Sequence, residues 1–387
     1  MSKRIYLVAG EASGDVLGQD VANSISSKNA SVELRSTGVV LSGEGRTSSG
    51  IDVTPLSVLG LWEGLRAYGD VRRIVKETVH DLVSFKPDVV VLIDSWGFTL
   101  RVAEAVRNID PEIRLVKLVG PQVWATRPGR AKKLATSVDH LLCIHEFEVP
   151  FYEPYGLKTT VIGHPALSRT KPGNAAGFRE KYNVECGQII VAVFPGSRQS
   201  EVSLMGRDLI DAASKIQSMD KAPKIAFAPS DSIASSFLAL GALEQFDHVM
   251  VEPEDRFDLM SACEVALACS GTITTEIALQ GAPVITGYRS GFLTWIIATN
   301  FLLKSRYITL LNVAADDEII PEFLQNEFNG QLLAETVSEL LADEKRREDQ
   351  IVRQSLALKK MGLGQPPAAH VAADAILEEI SSTRAGV

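Results

Sequence analysis

The sequence predicts an α/β protein built from two doubly wound domains. Its 387 residues are more than one hydrophobic core usually accommodates, so two domains of similar size are expected. Short runs rich in Val, Ile and Leu alternate with helix-like segments, which is the pattern of parallel strands covered by helices on both faces. A segment rich in Pro and Gly, GHPALSRTKPGN, interrupts this alternation between the two halves of the chain.

The predicted strands are the apolar runs of the two halves. They are RIYLVA, DVVVLI, RLVKLV, HLLCI and TTVI in the first half, and QIIVAVF, KIAFAP, HVMV, EVALA and PVITGY in the second. The interruption between them places the first domain at residues 1–168 and the second at residues 169–363. Residues 364–387 contain the amphipathic helix AAHVAADAILEEISS, for which packing on the protein surface is the simplest interpretation.

Composition and charge exclude several classes of protein. Hydrophobic residues make up 45% of the chain and charged residues 22%, which is typical of a soluble globular protein. The net charge of −9 argues against nucleic acid as a partner, because proteins that bind phosphate backbones usually carry a basic surplus.

The cellular compartment is expected to be the cytoplasm. The four cysteines form no CxxC pair, so we expect buried thiols in a reducing compartment. The apolar run IYLVA is too short for a signal peptide, and no apolar run approaches the roughly 20 residues that span a bilayer.

Polar residues follow the predicted strands at their carboxyl ends, where doubly wound sheets bind ligands. In FPGSRQSEV a strand ends at Phe194 and a helix begins near Glu201, so Gly196, Ser197 and Arg198 lie at a helix amino terminus. The backbone N–H groups there and the Arg198 guanidinium are expected to bind a phosphate. A capped turn with a surface arginine is the alternative.

A second helix amino terminus is predicted in ACSGTITTEIALQG. Ser270, Gly271 and Thr272 follow a buried strand, and a glycine there allows a pyrophosphate to approach the backbone closely. Glu276 lies about one and a half turns into the helix, where it can accept hydrogen bonds from two sugar hydroxyls or act as a partner of the helix dipole. Together the two stretches predict a nucleotide-diphosphate site within the second domain.

Asp94 ends the run DVVVLI and is the candidate general base of the first domain. Apolar walls behind its carboxylate are expected to raise its pKa, which suits a group that removes a proton. A cap for the following loop is the alternative. The loop GEASGDVLG supplies weaker candidates, since Asp15 can cap the following helix and Ser13 can bind a phosphate or the loop's own backbone.

Two further stretches have surface roles. Residues 290–307 carry Phe292, Trp295, Ile296 and Phe301 between flanking cations, which predicts contact with lipid headgroups or acyl chains. A buried core helix is the alternative. The stretch VWATRPGRAKKL gathers basic residues that include Arg127, which predicts a site for an anionic surface or a phosphate, with a solvated helix face as the alternative.

Common cofactor and metal motifs are absent from the chain. It contains no G-x-G-x-x-G fingerprint, Walker A lysine loop, HExxH pair or G-x-S-x-G elbow. A dinucleotide cofactor, a metal site and a nucleophilic serine therefore have little support.

Several independent motifs occur in an order and at a spacing that match a known family. They are LVAGEASGDVLG, LSVLGLWEGL, KPDVVVLIDS, PQVWATRPGR, VIGHP, FPGSRQSEV, SGTITTEIALQGAPVITGYR, RYITLLN and PEFLQ. From about residue 4 to about residue 330, the chain resembles the bacterial lipid-A-disaccharide synthases.

The resemblance implies an inverting glycosyltransferase of the B-type fold. Two Rossmann-like domains would face each other across a cleft, with the C-terminal helix crossing back to the first domain. The reaction would transfer 2,3-diacylglucosamine from its UDP donor to the 6-hydroxyl of 2,3-diacylglucosamine 1-phosphate, called lipid X, forming a β(1→6) bond and releasing UDP. The resemblance further implies peripheral attachment to the inner face of the inner membrane and no metal or other cofactor.

The resemblance also bears on individual residues. Asp94 matches the aspartate that acts as base, and Asn312 in LLN matches an asparagine near the donor. The acceptor side is assigned to Glu11, Ser13, Asp15 and Arg127. The chain departs from the family at Trp96 and Gly97, where a proline and an acidic residue are common, and LLN replaces LPN.

Two other functions stay open on the sequence. The chain could be another UDP-sugar transferase or a UDP-sugar 2-epimerase that acts on soluble substrates. It could also be a non-catalytic paralogue that binds a nucleotide sugar or a lipid.

Overall fold

A computed structural model of the protein describes residues 3–57, 64–219, 222–241, 243–290 and 305–382. The chain forms two compact units. Unit 1 consists of Met1–Pro165 and Gly364–Val387, and unit 2 consists of Ala166–Leu363. The first change of unit thus lies close to the boundary expected at residue 168.

Unit 1 is built on a parallel sheet. Its strands in the described residues are β1 (Arg4–Ala9), β2 (Glu33–Thr37), β3 (Arg46–Ser48), β4 (Val89–Ile93), β5 (Arg114–Leu118), β6 (His140–Cys143) and β7 (Lys158–Val161). They pair in parallel in the order β3-β2-β1-β4-β5-β6-β7.

Unit 2 is built on a second parallel sheet. Its described strands are β8 (Ile190–Phe194), β9 (Lys224–Phe227), β10 (His248–Met250), β11 (Val265–Cys269), β12 (Val284–Tyr288) and β13 (Glu322–Leu324). Their order is β10-β9-β8-β11-β12-β13, again with parallel pairing.

Helices connect the strands in both units. Those of the described residues are α1 (Ala12–Lys28), α2 (Gly64–Phe85), α3 (Trp96–Ile109), α4 (Arg130–Ala135), α5 (Ala166–Arg169), α6 (Ala175–Lys181), α7 (Gln199–Gln217), α8 (Ala234–Leu238), α9 (Arg256–Ala262), α10 (Thr272–Leu279), α11 (Leu310–Ala315), α12 (Gly330–Ala342), α13 (Glu344–Lys360) and α14 (Ala368–Ser382). Short 3-10 turns lie at Thr54–Ser57, Glu146–Phe151, Glu153–Tyr155, Leu243–Gln245, Pro253–Asp255 and Gln325–Glu327.

Each face of the unit 1 sheet has its own core, because successive side chains of a strand point to opposite faces. Leu7 and Val91 pack with α1 and α14 on one face. Val8 and Val90 pack against residues of α2 and α3 on the other. Burial on both faces explains why β1 and β4 are uninterrupted apolar runs in the sequence.

The C-terminal helix α14 packs on the sheet of unit 1, as the family resemblance implies. The Glu379 carboxylate is buried, lies 3.0 Å from His140 Nδ1 and accepts a 2.6 Å hydrogen bond from Lys158 Nζ. Lys28 of α1 and Asp374 of α14 form an ion pair with an N···O distance of 2.5 Å. Apolar burial and these polar contacts together hold α14 against the sheet.

Three strands escape the sequence prediction. In β2, Glu33 and Arg35 are paired with Arg4 and Asp81 at N···O distances of 3.0 and 2.7 Å, so charged residues replace an apolar run. The other two, β3 and β13, are each three residues long and too short to show a period. The expectation of four buried thiols is also wrong at one position, because Cys186 is exposed in the turn between α6 and β8.

The strand order places a switch point in each sheet. The chain order reverses between β1 and β4 in unit 1, and between β8 and β11 in unit 2. Doubly wound sheets bind ligands beside the carboxyl ends of strands at such points. The residues after these four strands are therefore the first place to look for a site.

Candidate active site

A cavity of about 410 Å³ lies in unit 2 at the carboxyl ends of β8, β9 and β11. It contains every donor-site residue that the sequence predicts except Asn312. These residues are Gly196, Ser197, Arg198, Ser270, Gly271, Thr272 and Glu276. The two stretches chosen from the sequence thus line one cavity.

The amino terminus of α10 opens into this cavity. Gly271 has a φ of 155° and a ψ of −164°, a region of backbone conformation that is nearly exclusive to glycine. A Cβ placed on Gly271 would meet no atom within 4 Å, so this side of the backbone is accessible. No acceptor among the described residues bonds the N–H groups of Gly271 and Thr272. Free N–H groups and the positive end of the helix dipole favour an anion here.

The amino terminus of α7 is already occupied by a carboxylate of the protein. Glu201 Oε2 accepts hydrogen bonds from the N–H groups of Ser197 at 2.8 Å and Arg198 at 3.2 Å. Gly196 has a φ of 100°, and a Cβ there would lie 2.2 Å from Glu201 Oε2. The predicted cradle of N–H groups is therefore closed, and the alternative of a capped turn describes the backbone better.

The Arg198 side chain remains available for a ligand. It is 74% exposed and lies 3.4 Å from Glu201 Oε1. An exposed guanidinium can bind a phosphate with two parallel hydrogen bonds. In this turn the Arg198 guanidinium, rather than the backbone N–H groups, is available to bind an anion.

Glu276 lies on the cavity wall beside a cation. Its carboxylate is 3.9 Å from the guanidinium of Arg256. Burial raises the pKa of Glu276, and the nearby Arg256 charge opposes this shift. The pair puts one acceptor and one donor of opposite charge on the same wall.

Asn312, which the resemblance assigns to the neighbourhood of the donor, does not line this cavity. It is fully buried, and its Oδ1 accepts hydrogen bonds from the N–H groups of Ile319 and Ile320, each 2.9 Å long. Its Nδ2 donates to the Ile320 carbonyl at 2.9 Å. The amide is committed to the loop between α11 and β13 and fixes its conformation.

Asp94 lies at the switch point of unit 1, directly after β4. It has a φ of 43° and the following Ser95 a φ of 39°, so two consecutive residues occupy the left-handed region. Its N–H group donates to the Leu118 carbonyl at 2.9 Å. The carboxylate is half-buried and forms no hydrogen bond with the described residues. Strained backbone is common at functional sites, where the surrounding structure holds it in place.

Lys117, a buried residue of β5, holds the Asp94 turn in place. Its Nζ atom donates hydrogen bonds to the Asp94 carbonyl and to Thr99 Oγ1. Burial lowers the pKa of Lys117 to about 7, while the Asp94 charge opposes this shift. The sequence does not single out Lys117, because a lysine inside a strand run is normally a solvent-facing residue.

The loop GEASGDVLG meets the Asp94 turn through Glu11. Glu11 Oε1 accepts a 3.0 Å hydrogen bond from Ser95 Oγ. Ser13 is exposed in the first turn of α1. Asp15 also lies inside α1, and its Oδ1 accepts hydrogen bonds from the Val40 N–H group at 2.8 Å and Gln19 Nε2 at 2.7 Å. Asp15 therefore holds a neighbouring loop and is not the cap of the helix.

Arg127 lies in the loop before α4, with a φ of 50° and an exposed side chain. It lies close enough to Arg130 to lower the pKa of that residue, after the larger effect of burial. The basic stretch thus includes two neighbouring arginines, of which Arg130 lies over the ring of Trp96, two residues after Asp94.

Comparison with known proteins decides the family. The sequence profile described as lipid-A-disaccharide synthetase matches residues 5–376. The chain belongs to the lipid-A-disaccharide synthetase family. A protein named lipid-A-disaccharide synthase from Paramagnetospirillum magneticum is 33% identical to it over 391 residues, which cover 97% of both chains. The predicted family is confirmed, and with it the prediction of a glycosyltransferase.

Solved structures share the fold at low sequence identity. A UDP-GlcNAc 2-epimerase from Neisseria meningitidis bound to UDP-GlcNAc gives a TM-score of 0.58 at 12% identity, covering 98% of this chain and 100% of that one. A glycosyltransferase from Rickettsia africae gives a TM-score of 0.56 at 13% identity and covers 100% of both chains. This likeness shows the fold alone, and it confirms two doubly wound α/β domains.

The membrane contacts predicted from the apolar stretch fall on residues outside those that the structure describes. Phe292, Trp295, Ile296 and Phe301 lie outside the described residues. No helix in the described part of the chain is long and apolar enough to cross a membrane. The described part of the chain contains no group of three or more His, Cys, Asp or Glu suited to a metal ion. That the reaction needs no metal stays a prediction.

The cavity of unit 2 is also lined by three polar residues that were not among the predicted site residues. Ser230 and Asp231 follow β9, and Arg256 begins α9. The rule that polar residues after a strand deserve attention would have found the first two. Arg256 carries no local signal, because its importance comes from its contact with Glu276.

Proposed function

We propose that the chain joins 2,3-diacylglucosamine from its UDP donor to the 6-hydroxyl of 2,3-diacylglucosamine 1-phosphate. The product is the β(1→6) disaccharide 1-phosphate, and UDP is released with inversion at the anomeric carbon. Membership of the family supports the reaction class. The cavity of unit 2, with an open helix amino terminus beside Arg198 and Glu276, is the observation that carries the donor assignment.

The donor is held by its diphosphate and its ribose. The free N–H groups of Gly271 and Thr272 and the Arg198 guanidinium bind the phosphate oxygens. Glu276 accepts hydrogen bonds from ribose hydroxyls. Negative charge grows on UDP as the glycosidic bond breaks, and fixed donors aimed at that charge lower the barrier. Arg256 balances the charge of Glu276 across the cavity wall.

Asp94 acts as the general base on the acceptor. Its carboxylate takes the proton of the 6-hydroxyl while the oxygen attacks the anomeric carbon from the face opposite UDP. The bond between that carbon and the diphosphate oxygen breaks, and its electron pair leaves with UDP. A carboxylate without a hydrogen-bond partner among the described residues is free to accept this proton.

The enzyme works as a peripheral protein at the inner face of the inner membrane in this proposal. Both sugar substrates carry two acyl chains and reside in a lipid phase. The aromatic and aliphatic residues Phe292, Trp295, Ile296 and Phe301, flanked by cations in the sequence, are suited to a headgroup layer.

The decisive experiment supplies UDP-2,3-diacylglucosamine and 2,3-diacylglucosamine 1-phosphate and seeks the disaccharide by mass spectrometry. Asp94→Asn should lower kcat by about 10²- to 10⁴-fold, because proton removal by a positioned base contributes that much, and should leave the UDP affinity unchanged. Asp110→Asn is the matched control, since Asp110 follows the other end of α3, about 20 Å away.

Three results would contradict the proposal. Folded wild-type protein that yields no disaccharide would exclude the reaction. Full turnover by Asp94→Asn would remove Asp94 from its role as base. Conversion of UDP-GlcNAc to its 2-epimer, without transfer, would favour the epimerase alternative.

A further inference from the structure

A second cavity, of about 510 Å³, lies in unit 1 next to the Asp94 turn. Its walls come from the start of α3 and from the start of α4 with the residue before it. The residues that matter to its chemistry are Trp96, Gly97, Arg101, Glu104, Arg130 and Lys133. We call it the Arg130 cavity.

Arg130 is the central cation of this cavity. Its guanidinium lies over the Trp96 ring, 5.2 Å from the ring centroid, and its side chain is half-buried. No carboxylate among the described residues forms an ion pair with it. Burial and the positive charge of Arg127 both lower the pKa of Arg130, so its local environment is short of negative charge.

The other charges of the cavity are arranged differently. Lys133 pairs with Glu104 at 2.7 Å, so the only carboxylate on the wall is neutralised within the described residues. Arg101 donates a hydrogen bond to the Gly97 carbonyl, which holds its guanidinium at the cavity mouth. The cavity as a whole is cationic, with Arg130 as its least compensated charge.

The cavity lies within reach of one sugar from the candidate base. Trp96 is two residues after Asp94, and two residues span at most about 7 Å. In a hexose whose 6-hydroxyl lies at Asp94, the first carbon is joined to the fifth carbon through the ring oxygen, so the substituent of the first carbon lies within one ring width of that hydroxyl. That substituent can therefore reach the Arg130 cavity.

We propose that Arg130, lying over Trp96, binds the phosphate of the acceptor sugar. This inference rests on the proposed function and adds the residue that recognises the acceptor by its 1-phosphate. A guanidinium matches a phosphomonoester with two parallel hydrogen bonds, and the neighbouring Arg101 adds a second positive charge at the mouth of the cavity. The Trp96 ring keeps the guanidinium oriented and provides an apolar wall for the sugar ring.

The test compares two acceptors, one with and one without the 1-phosphate. Arg130→Met should raise the KM for the phosphorylated acceptor by about 10- to 100-fold, the loss expected for hydrogen bonds to a charged group. Kinetics with the dephosphorylated acceptor should be the same for wild type and Arg130→Met. Arg130→Lys should recover part of the loss, because it restores the charge without the paired hydrogen bonds. UDP affinity should not change.

Lys132→Met is the matched control. Lys132 is exposed on the same helix and does not line the Arg130 cavity. Its replacement should leave the KM for both acceptors unchanged. Equal melting temperatures of the three variants would show that the kinetic effects do not come from misfolding.

A phospholipid headgroup is the other source of the same phosphate chemistry. Sedimentation with phosphatidylcholine vesicles, with and without phosphatidylglycerol, distinguishes the two. Vesicle binding should be the same for wild type and Arg130→Met. Selective loss of binding to the anionic vesicles, with unaltered discrimination between acceptors, would overturn the proposal in favour of a headgroup site.

The remaining outcomes are also decisive. A KM raised equally for both acceptors, or for neither, would overturn the role of Arg130 as reader of the phosphate. Failure of wild type to make product with either acceptor would refute the proposed function instead, so the two failures are distinguishable.

Discussion

The Nζ atom of Lys117 donates a hydrogen bond to the carbonyl oxygen of Asp94 from within the core of unit 1. It also donates to Thr99 Oγ1 at 2.8 Å, and that hydroxyl donates to the same carbonyl at 2.7 Å. The Asp94 carbonyl is therefore held from two directions. Because this turn has an unfavourable left-handed backbone, these bonds determine where the carboxylate points.

Lys117→Met should lower kcat by about 10- to 100-fold, because a displacement of about 1 Å at a catalytic group has an effect of that size. The UDP affinity should not change, since the donor residues belong to unit 2. Steady-state kinetics and calorimetric titration with UDP would check both parts. An unaltered kcat would show that Thr99 alone suffices to position the turn.

Lys117 should also make the free energy of unfolding depend on pH above about pH 7. Burial lowers its pKa to about 7, whereas an unfolded lysine has a pKa near 10.5. Between these values the unfolded chain binds more protons, so the free energy of unfolding rises with pH. Urea denaturation at pH 7, 8 and 9 should show this rise in wild type and a flatter profile in Lys117→Met. Parallel profiles would contradict the assignment.

Glu276 should make UDP binding sensitive to acid. Burial raises the pKa of Glu276, and only the ionised carboxylate accepts hydrogen bonds from both ribose hydroxyls. UDP affinity should therefore fall as the pH drops through this raised pKa, and the fall should vanish in Glu276→Gln. Loss of charged hydrogen bonds predicts about a 10-fold weaker Kd for the variant at pH 7. Glu335→Gln, at an exposed site of α12, is the control for titration calorimetry.

Asp81 should contribute stability that is lost in acid. Hydrogen bonds from Arg35 lower the pKa of Asp81, against the opposing effect of burial, and Tyr6 adds another. A carboxyl whose pKa is lowered in the native state stabilises the fold above its unfolded pKa, near 3.8, and loses this contribution as the pH falls through its native pKa.

Asp81→Asn should therefore cost about 1–3 kcal/mol at pH 7 and progressively less as the pH falls below 4. Asp70→Asn is the control, because Asp70 is half-exposed on the same helix and pairs only with Arg73 in the described residues. Its cost should stay below about 1 kcal/mol. Urea midpoints at several pH values would measure both; a constant cost for Asp81→Asn would contradict the linkage.

The predictable part of the fold comes from strands that bury both faces. β4 and β8 are unbroken apolar runs, and their place inside a parallel sheet follows from that pattern. β2 shows no apolar run, because Arg35 lies in the strand and pairs its charge with Asp81, a residue on a helix far along the chain. No local sequence pattern indicates an ion pair between residues so far apart in the chain, so this strand looks like a loop in the sequence.

The candidate site shows the same division. Asp94 and Gly271 can be selected from the sequence because each directly follows a predicted strand. The carboxyl ends of parallel strands lie at the same edge of a sheet, where ligands bind. The same rule could not reveal that Glu201 closes the α7 terminus, since this depends on the rotamer of one side chain. Asn312 was assigned to the donor site by resemblance alone. Its burial depends on the loop that folds around it, and no local sequence pattern indicates that loop's course.

The chain order of unit 1 has a consequence for its synthesis. Helix α14 packs on β4 and β5, in the core that includes Leu7 and Val91, yet all of unit 2 is translated before it. At 5–20 residues per second, the ribosome takes roughly 10–40 s to make Ala166–Leu363. During that interval this apolar face of the nascent first unit has the cover of α1 but lacks that of α14. A chaperone that shields this face co-translationally should raise the yield of folded protein, and a chain that stops before Ala368 should aggregate.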